Sequence, residues 1–246
     1  LSAVACGSLL SQGFPLPIVV LGTLCTGALA GLFNGAIITL TGITPFVVTL
    51  GGLTIFRGLT LTISNGGPIS GFTPDMRWWG TGLVGPVPVP VIIFLGAALL
   101  CHLVLRYTRY GRSVYAVGGN AEAARRAGIN VRRIYTSAFM LCSMFAALGG
   151  MLGAARLASS SQQAGTGDVN LNAIAAAVIG GTSLFGGRGS AWSALLGIIV
   201  IQSISNGLTL LNLSSSLRYM ITGAVLAIAV IVDSLARQSR AVHGRA

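Results

Sequence analysis

The chain has 246 residues, of which 53% are hydrophobic and 8% are charged, and its mean hydropathy is +0.84. An average soluble domain carries roughly a quarter charged residues, so this composition excludes an ordinary soluble domain and predicts an integral membrane protein. All 15 cationic residues are arginine, against 4 acidic residues, which gives a net charge of +11. The absence of lysine excludes a Walker A nucleotide site and a Schiff-base lysine.

Apolar runs of the length that a spanning helix needs, about 20 residues, recur along the chain. The predicted spans are residues 16–40, 44–63, 87–105, 134–157, 171–185, 191–211 and 217–236, and residues 1–10 are interpreted as the end of an eighth. The run 171–185 is short for a full crossing, which indicates a tilted, broken or partly re-entrant helix. The sequence therefore predicts an all-α fold, a polytopic integral membrane helical bundle that forms one domain over residues 1–246.

Glycine is abundant within these spans, with 35 residues in the chain. Gly27, Gly31 and Gly35 recur on one helical face, and Gly149 and Gly153 repeat the spacing. Because lipid supplies no hydrophobic drive between helices, small residues at this spacing favour close approach of neighbouring backbones. The pattern predicts tight helix packing and specifies no substrate.

The arginines lie between apolar runs, mostly in two places. Seven of them fall within residues 106–133 and three within residues 237–246. This is the positive-inside pattern, so residues 106–133 are predicted to be a cytoplasmic loop and residues 237–246 a basic cytoplasmic tail. This placement of the arginines accounts for the net positive charge, so nucleic acid is not a predicted partner.

Chemically active side chains are scarce. Asp75, Glu122 and Asp168 lie in predicted loops, and Asp233 lies near the cytoplasmic end of the last predicted span. No carboxylate therefore occupies a membrane midplane, and proton- or cation-driven secondary transport is disfavoured. The only two histidines are His102 and His243. They cannot assemble a convincing metal cluster or catalytic triad, so no cofactor or metal is predicted and a membrane-embedded enzyme is disfavoured.

The basic loop contains the parts of a short helix. Asn120 is a good N-cap, Glu122 falls in the first turn and Gly128 is a C-terminal stop signal. Glu122 and Arg126 form a favourably oriented i,i+4 pair. Two interpretations are open for this helix: a solvated connector, or a docking element for a cytoplasmic partner.

A glycine-rich segment, GTSLFGGRGS, occupies residues 181–190. Its glycine spacing is that of a phosphate-binding loop, but the lysine position holds Gly187. The better interpretation is a tight cytoplasmic turn between two membrane helices, in which glycines permit positive φ angles and Arg188 anchors the inner face.

Four stretches, residues 44–72, 110–134, 164–190 and 206–233, carry a resemblance that covers nearly the whole chain. The specific parts are the GGN-x-EAA-x-x-x-G core of the basic loop and the GGTSLFGGRGS turn. On these residues the chain resembles the permease subunits of ribose- and xylose-type ATP-binding-cassette (ABC) importers for simple sugars. Such permeases have about ten spans and further N-terminal helices, so the resemblance implies that this chain is N-terminally incomplete, with seven or eight spans present.

The resemblance also implies partners. They are a cytoplasmic ATPase subunit, an extracytoplasmic sugar-binding protein and a second permease subunit, identical or homologous, all at the plasma or inner membrane. In such permeases the EAA-like segment fits a cleft of the ATPase. That role carries over to Gly118, Gly119, Asn120, Glu122, Ala123, Ala124 and Gly128.

Polar groups in or beside the membrane segments are candidates for the translocation pathway, although each could instead form a hydrogen bond between helices. They are Asn34, Thr44, Thr49, Asn65, Asn172, Gln202 and Asn206. The leading hypothesis is a permease for xylose, ribose or a similar monosaccharide. The alternative is a stand-alone channel or facilitator for sugars or other small solutes.

Overall fold

A computed structural model describes residues 1–162, 168–183, 186–211, 217, 220, 221 and 223–225. In this part of the chain the structure is mainly helical, with four strands of two residues each. The helices are α1 (Ser2–Ser11), α2 (Leu16–Thr41), α3 (Pro45–Ile63), α4 (Pro74–Thr81), α5 (Val89–Tyr107), α6 (Arg109–Gly119), α7 (Ala121–Arg126), α8 (Val131–Leu157), α9 (Asp168–Ile179) and α10 (Ala191–Leu210). The strands are β1 (Ile69–Ser70), β2 (Leu83–Val84), β3 (Val87–Pro88) and β4 (Ser159–Ser160).

Five helices, α2, α3, α5, α8 and α10, are long and apolar enough to cross a membrane. Each corresponds to a predicted span with ends that differ by at most three residues, so these five predictions are confirmed. The prediction of one helix over residues 171–185 is wrong at its C-terminal end, because α9 stops at Ile179 in a glycine-containing turn. The predicted span 217–236 lies largely outside the described residues.

By its internal contacts the chain divides into two units, of which the first comprises Leu1–Gly96 and Asn130–Ala164. Its largest interface joins α2 to α8. A methyl group added at Gly31 would lie 2.5 Å from the Phe139 carbonyl oxygen and 2.6 Å from the Met140 Cα. At Gly27 it would lie 2.5 Å from the Ala147 Cβ. The two backbones therefore touch along this glycine face, which confirms the packing predicted for it.

Gly149 and Gly153, on α8, behave differently. A methyl group added at either would meet no heavy atom within 4 Å among the described residues. The prediction that they repeat the tight packing of the α2 glycines is therefore wrong within this part of the chain. Spacing alone identified a helix face but not whether another helix covers it.

The core of the first unit joins α1, α2, α4 and α8. Cys6, Met76, Met151 and Ala155 are fully buried in this core. Beside it, β1 pairs with β4 in antiparallel register, with Ile69 opposite Ser160. A second antiparallel pair, β2 with β3, takes residues 87–88 out of the predicted span, and α5 starts at Val89.

The second unit comprises Ala97–Ile129 and Gly165–Ala246. In it α9 and α10 pack backbone to backbone, because a methyl group at Gly180 would lie 2.6 Å from the Ser193 carbonyl carbon and one at Gly197 would lie 2.9 Å from the Gly180 nitrogen. Ala176 and Ile201 are buried in this interface. The prediction of a single domain over residues 1–246 stays a prediction.

Candidate functional site

The segment between α5 and α8 contains two helices where the sequence predicted one. The unpredicted helix, α6, is capped by the Thr108 hydroxyl, which accepts a hydrogen bond from the Gly111 N–H at 3.1 Å. α6 ends because Asn120 adopts an extended conformation, with φ −155° and ψ 103°. A threonine N-cap was the sequence signal that could have identified α6.

The helix that the sequence did predict is α7. Asn120 is its N-cap, and the Asn120 Oδ1 accepts a hydrogen bond from the Ala123 N–H at 3.0 Å. One residue thus terminates α6 and starts α7. The predicted N-cap is confirmed, and Asn120 is the single residue between the two helices.

The C-terminal end of α7 is closed by Gly128, whose φ is +83°. The Gly128 N–H donates to the Arg125 carbonyl and the Ile129 N–H donates to the Ala124 carbonyl, both at 3.0 Å. These two bonds form a Schellman motif, which favours glycine because its left-handed position strains any residue with a Cβ. The predicted stop signal is confirmed.

The side chains of α7 divide between a buried and an exposed face. Ala124 is buried, whereas Ala123 and the Glu122–Arg126 ion pair, 3.3 Å long, are exposed. An exposed ion pair of this kind contributes only about 0.3–0.5 kcal/mol. The helix is therefore held mainly by its two caps and presents a small, solvent-accessible face.

The glycine turn, residues 181–190, connects α9 to α10. Gly181, Gly186 and Gly187 have φ angles of +89°, +89° and +75°. The Ser183 N–H donates to the Arg188 carbonyl at 3.1 Å, and Ser190 begins α10 with a capping box. The predicted tight turn is confirmed for its described residues; its Leu184 and Phe185 lie outside them.

The two most specific sequence motifs meet in the structure. A methyl group added at Gly118 would lie 2.6 Å from the Gly187 nitrogen, and one at Gly187 would lie 2.8 Å from the Gly119 Cα. The Tyr115 hydroxyl donates to the Gly189 carbonyl at 2.7 Å. Sequence analysis missed Tyr115 and this contact, because nothing local in the sequence links residues about 70 positions apart.

Two of the candidate pathway residues carry buried amide oxygens that lack hydrogen-bond partners among the described residues: Asn34 Oδ1 and Asn172 Oδ1. Asn34, on α2, lies close to α3, since a methyl group at Gly52 would be 2.5 Å from its Oδ1. Asn172 lies on α9. A buried amide oxygen without a partner costs about 1–3 kcal/mol, so these two oxygens are available to a hydrogen-bond donor.

Among the described residues, the other candidate pathway residues have no buried polar side-chain atom that lacks a hydrogen-bond partner. The Thr49 hydroxyl donates to the Pro45 carbonyl of its own helix at 2.9 Å, and Thr44 is the N-cap of α3. Asn65 follows α3 with a φ of +48°, while Gln202 and Asn206 are exposed on α10. The Thr49 donor is therefore satisfied locally, but its oxygen can still accept a hydrogen bond, so all five stay candidates. Among the described residues, no cluster of His, Cys, Asp or Glu could hold a metal ion.

Five helices that are long and apolar enough to cross a membrane indicate a multispanning membrane protein. The chain belongs to the family described as "Branched-chain amino acid transport system / permease component", whose profile matches residues 1–230.

Three curated relatives are similar over most of the chain. The ribose import permease of Escherichia coli K12 is 39% identical over 225 residues, covering 88% of this chain and 68% of the relative. The ribose import permease of Bacillus subtilis is 39% identical and covers 94% and 72%. The galactose/methyl galactoside import permease of Haemophilus influenzae is 37% identical and covers 90% and 68%. No solved structure matches the chain significantly.

Proposed function

We propose that this chain is the membrane-spanning permease subunit of an ABC importer that translocates a monosaccharide across the inner membrane. A separate ATPase energises it, an extracytoplasmic binding protein delivers the sugar, and a second permease subunit completes the pathway. The names of the relatives, import permeases for ribose and for galactose/methyl galactoside, support a pentose or hexose as substrate.

The observation that carries this proposal is α7. A six-residue helix with both ends capped, an exposed Ala123 and few buried side chains is poorly explained as part of a core. Its shape suits a cleft on another protein, with Asn120 and Gly128 fixing its two ends. Because the chain has no lysine for a Walker A motif, ATP would be bound by the partner.

Orientation follows from the same segment. Arginines occupy the last turn of α7 and the first turn of α8, and arginine-rich loops are retained on the cytoplasmic side. Residues 106–133 and the basic tail, residues 237–246, are therefore cytoplasmic in this proposal. The tail lies outside the described residues.

The buried amides suit a sugar pathway. Asn34 Oδ1 and Asn172 Oδ1 are acceptors without donors among the described residues. A monosaccharide presents several hydroxyl donors, and weak contacts of this kind permit both entry and release. We propose Asn34 and Asn172 as pathway residues ahead of Thr44, Thr49, Asn65, Gln202 and Asn206.

The mechanism that we propose is mechanical. Closure of the ATPase dimer around ATP displaces α7, and the membrane bundle changes between outward-open and inward-open states. The roles of this chain are to present α7 at a fixed position and to supply the polar groups along the pathway. Hydrolysis itself takes place in the partner.

A blocking substitution on α7 tests the proposal. We expect Ala123→Arg to reduce co-purification of the full-length permease with the ATPase subunit of the importer at least tenfold, because a long side chain fills the exposed face. Ala116→Arg, at an exposed position of α6, is the matched control and should leave co-purification unchanged. Equal recovery of ATPase with both variants contradicts the assignment of α7.

Transport assays separate the importer from the facilitator. In proteoliposomes that contain permease, ATPase and binding protein, uptake of D-ribose, D-xylose or D-galactose should require ATP. Uptake by the permease alone, without ATP and at the same rate, would establish a stand-alone channel instead.

A further inference from the structure

The glycine turn has no role in the proposed function so far, yet it contacts the segment that carries α7. Tyr115 and Gly118 lie three residues apart, and residues at this spacing share one face of α6. That face lies against the turn, since a methyl group at Gly186 would be 2.5 Å from the Gly118 carbonyl oxygen. No side chain separates the two backbones at this point.

The turn is fixed on both sides. At the end of α9, the Gly181 N–H donates to the Val178 carbonyl at 2.8 Å and the Thr182 N–H donates to the Ala177 carbonyl at 2.9 Å. At the start of α10, the hydroxyl of Ser190 accepts from the Ser193 N–H at 3.0 Å. In the described residues, hydrogen bonds therefore attach the glycine turn to the end of α9 and to the start of α10. The turn moves together with these two helix ends.

The α9–α10 hairpin behind the turn is also closely packed. Its two backbones meet at Gly180 and Gly197, and α9 carries Asn172, whose buried Oδ1 has no partner among the described residues. Tightly packed elements are displaced as units, because their interfaces have no voids to absorb a shift.

We propose that the contact between Gly118 and the glycine turn relays the displacement of α7 to the α9–α10 hairpin. Gly118, Gly187 and Tyr115 are the positioning residues of this relay, and none of them touches the sugar. This inference rests on the proposed function, in which α7 receives the motion of the ATPase. It adds a route by which that motion reaches Asn172.

The route transmits the displacement because α7, α6 and the glycine turn are in direct contact. Asn120 is the single residue between α6 and α7, and the α6 backbone touches the turn where Gly118 meets Gly187. The Tyr115 hydrogen bond to Gly189, 2.7 Å long, holds α6 and the turn in register. Inserting one methyl group at Gly118 would separate the surfaces while leaving α7 and its caps intact.

The experiment compares Gly118→Ala with Gly153→Ala in the complete importer, assembled in proteoliposomes from permease, ATPase and binding protein. Both variants add the same methyl group to a helix, on α6 and on α8. At Gly153 that group meets no heavy atom within 4 Å among the described residues, whereas at Gly118 it meets the turn. The readout is the number of sugar molecules taken up per ATP hydrolysed.

We expect the ratio for Gly118→Ala to fall about tenfold below that for Gly153→Ala, which is a typical coupling factor between linked sites. Co-purification with the ATPase should be equal for the two variants, a result that a merely misfolded protein would not give. The probe sugar is whichever of D-ribose, D-xylose and D-galactose the wild-type importer takes up.

A second variant keeps the inference testable if Gly118→Ala does not assemble. Tyr115→Phe removes only the hydroxyl that binds Gly189, and we expect a two- to fivefold fall in the ratio, about the effect of one hydrogen bond. An unchanged ratio in Tyr115→Phe, or equal ratios in the two alanine variants, overturns the relay. Failure of the wild type to transport any probe sugar would overturn the proposed function instead.

Discussion

The α2–α8 interface and the α6–α7 segment are stabilised by different means, although glycine is essential to both. Along α2, Gly27, Gly31 and Gly35 let two long helices touch backbone to backbone over about two turns. In α7, stability comes from single hydrogen bonds at the two ends, at Asn120 and Gly128.

The α2–α8 interface is therefore a structural region, whereas the α6–α7 segment is suited to binding a partner. The α2–α8 interface buries its glycine face, so its contribution is to folding. Within the α6–α7 segment, α7 keeps Ala123 and Arg126 exposed and is stabilised mainly by its own caps. Low local stability is typical of elements that bind or move.

The largest effect is expected at the helix interface. Gly31→Ala forces α2 and α8 apart, because its methyl group would lie 2.5 Å from a backbone oxygen that cannot rotate away. Overpacking of this kind costs about 1–3 kcal/mol. We expect a lower midpoint of thermal unfolding for the full-length permease in detergent.

Gly153→Ala is the matched control on α8. It adds the same methyl group within a membrane helix, where no heavy atom of the described residues lies within 4 Å. Its unfolding midpoint should equal or exceed that of the wild type. Equal losses for Gly31→Ala and Gly153→Ala would remove the distinction between the two glycine faces.

A smaller and more local effect is expected at the end of α7. Gly128→Ala places a Cβ at a φ of +83°, which costs about 1–2 kcal/mol. Amide hydrogen exchange in residues 121–128 should accelerate about tenfold, while the unfolding midpoint of the whole protein changes little.

Gly128→Asn serves as the comparison for that variant, because asparagine tolerates the left-handed conformation better than alanine does. Its exchange rates should fall between those of the wild type and Gly128→Ala. A global loss of stability in Gly128→Ala would show that α7 is part of the core after all.

The smallest effect is expected for the exposed ion pair. Glu122→Gln removes the charge that pairs with Arg126 at 3.3 Å, a loss of about 0.3–0.5 kcal/mol at low salt. Exchange in α7 should roughly double at low ionic strength and match the wild type at 1 M salt, where charges are screened within about 3 Å. An effect that persists in high salt would indicate a role beyond the ion pair.

Sequence reasoning was most successful where one helix or one turn determines the outcome. The bounds of the membrane helices, the Asn120 and Gly128 caps and the glycine turn were predictable because hydrophobic length, capping and positive φ are local properties. It failed for α6 and for the end of α9, where a capping threonine and a glycine stop signal were present in the sequence but were not given weight.

What the sequence determined by itself is therefore the membrane character of the chain and the identity of its short capped helix. Only the tertiary structure decided which glycines are covered and that Gly118 meets Gly187. It also decided which amides remain without partners, Asn34 and Asn172. The physical reason is range: a cap or an apolar run acts within a few residues, whereas a backbone contact between positions about 70 residues apart exists only once the helices have packed.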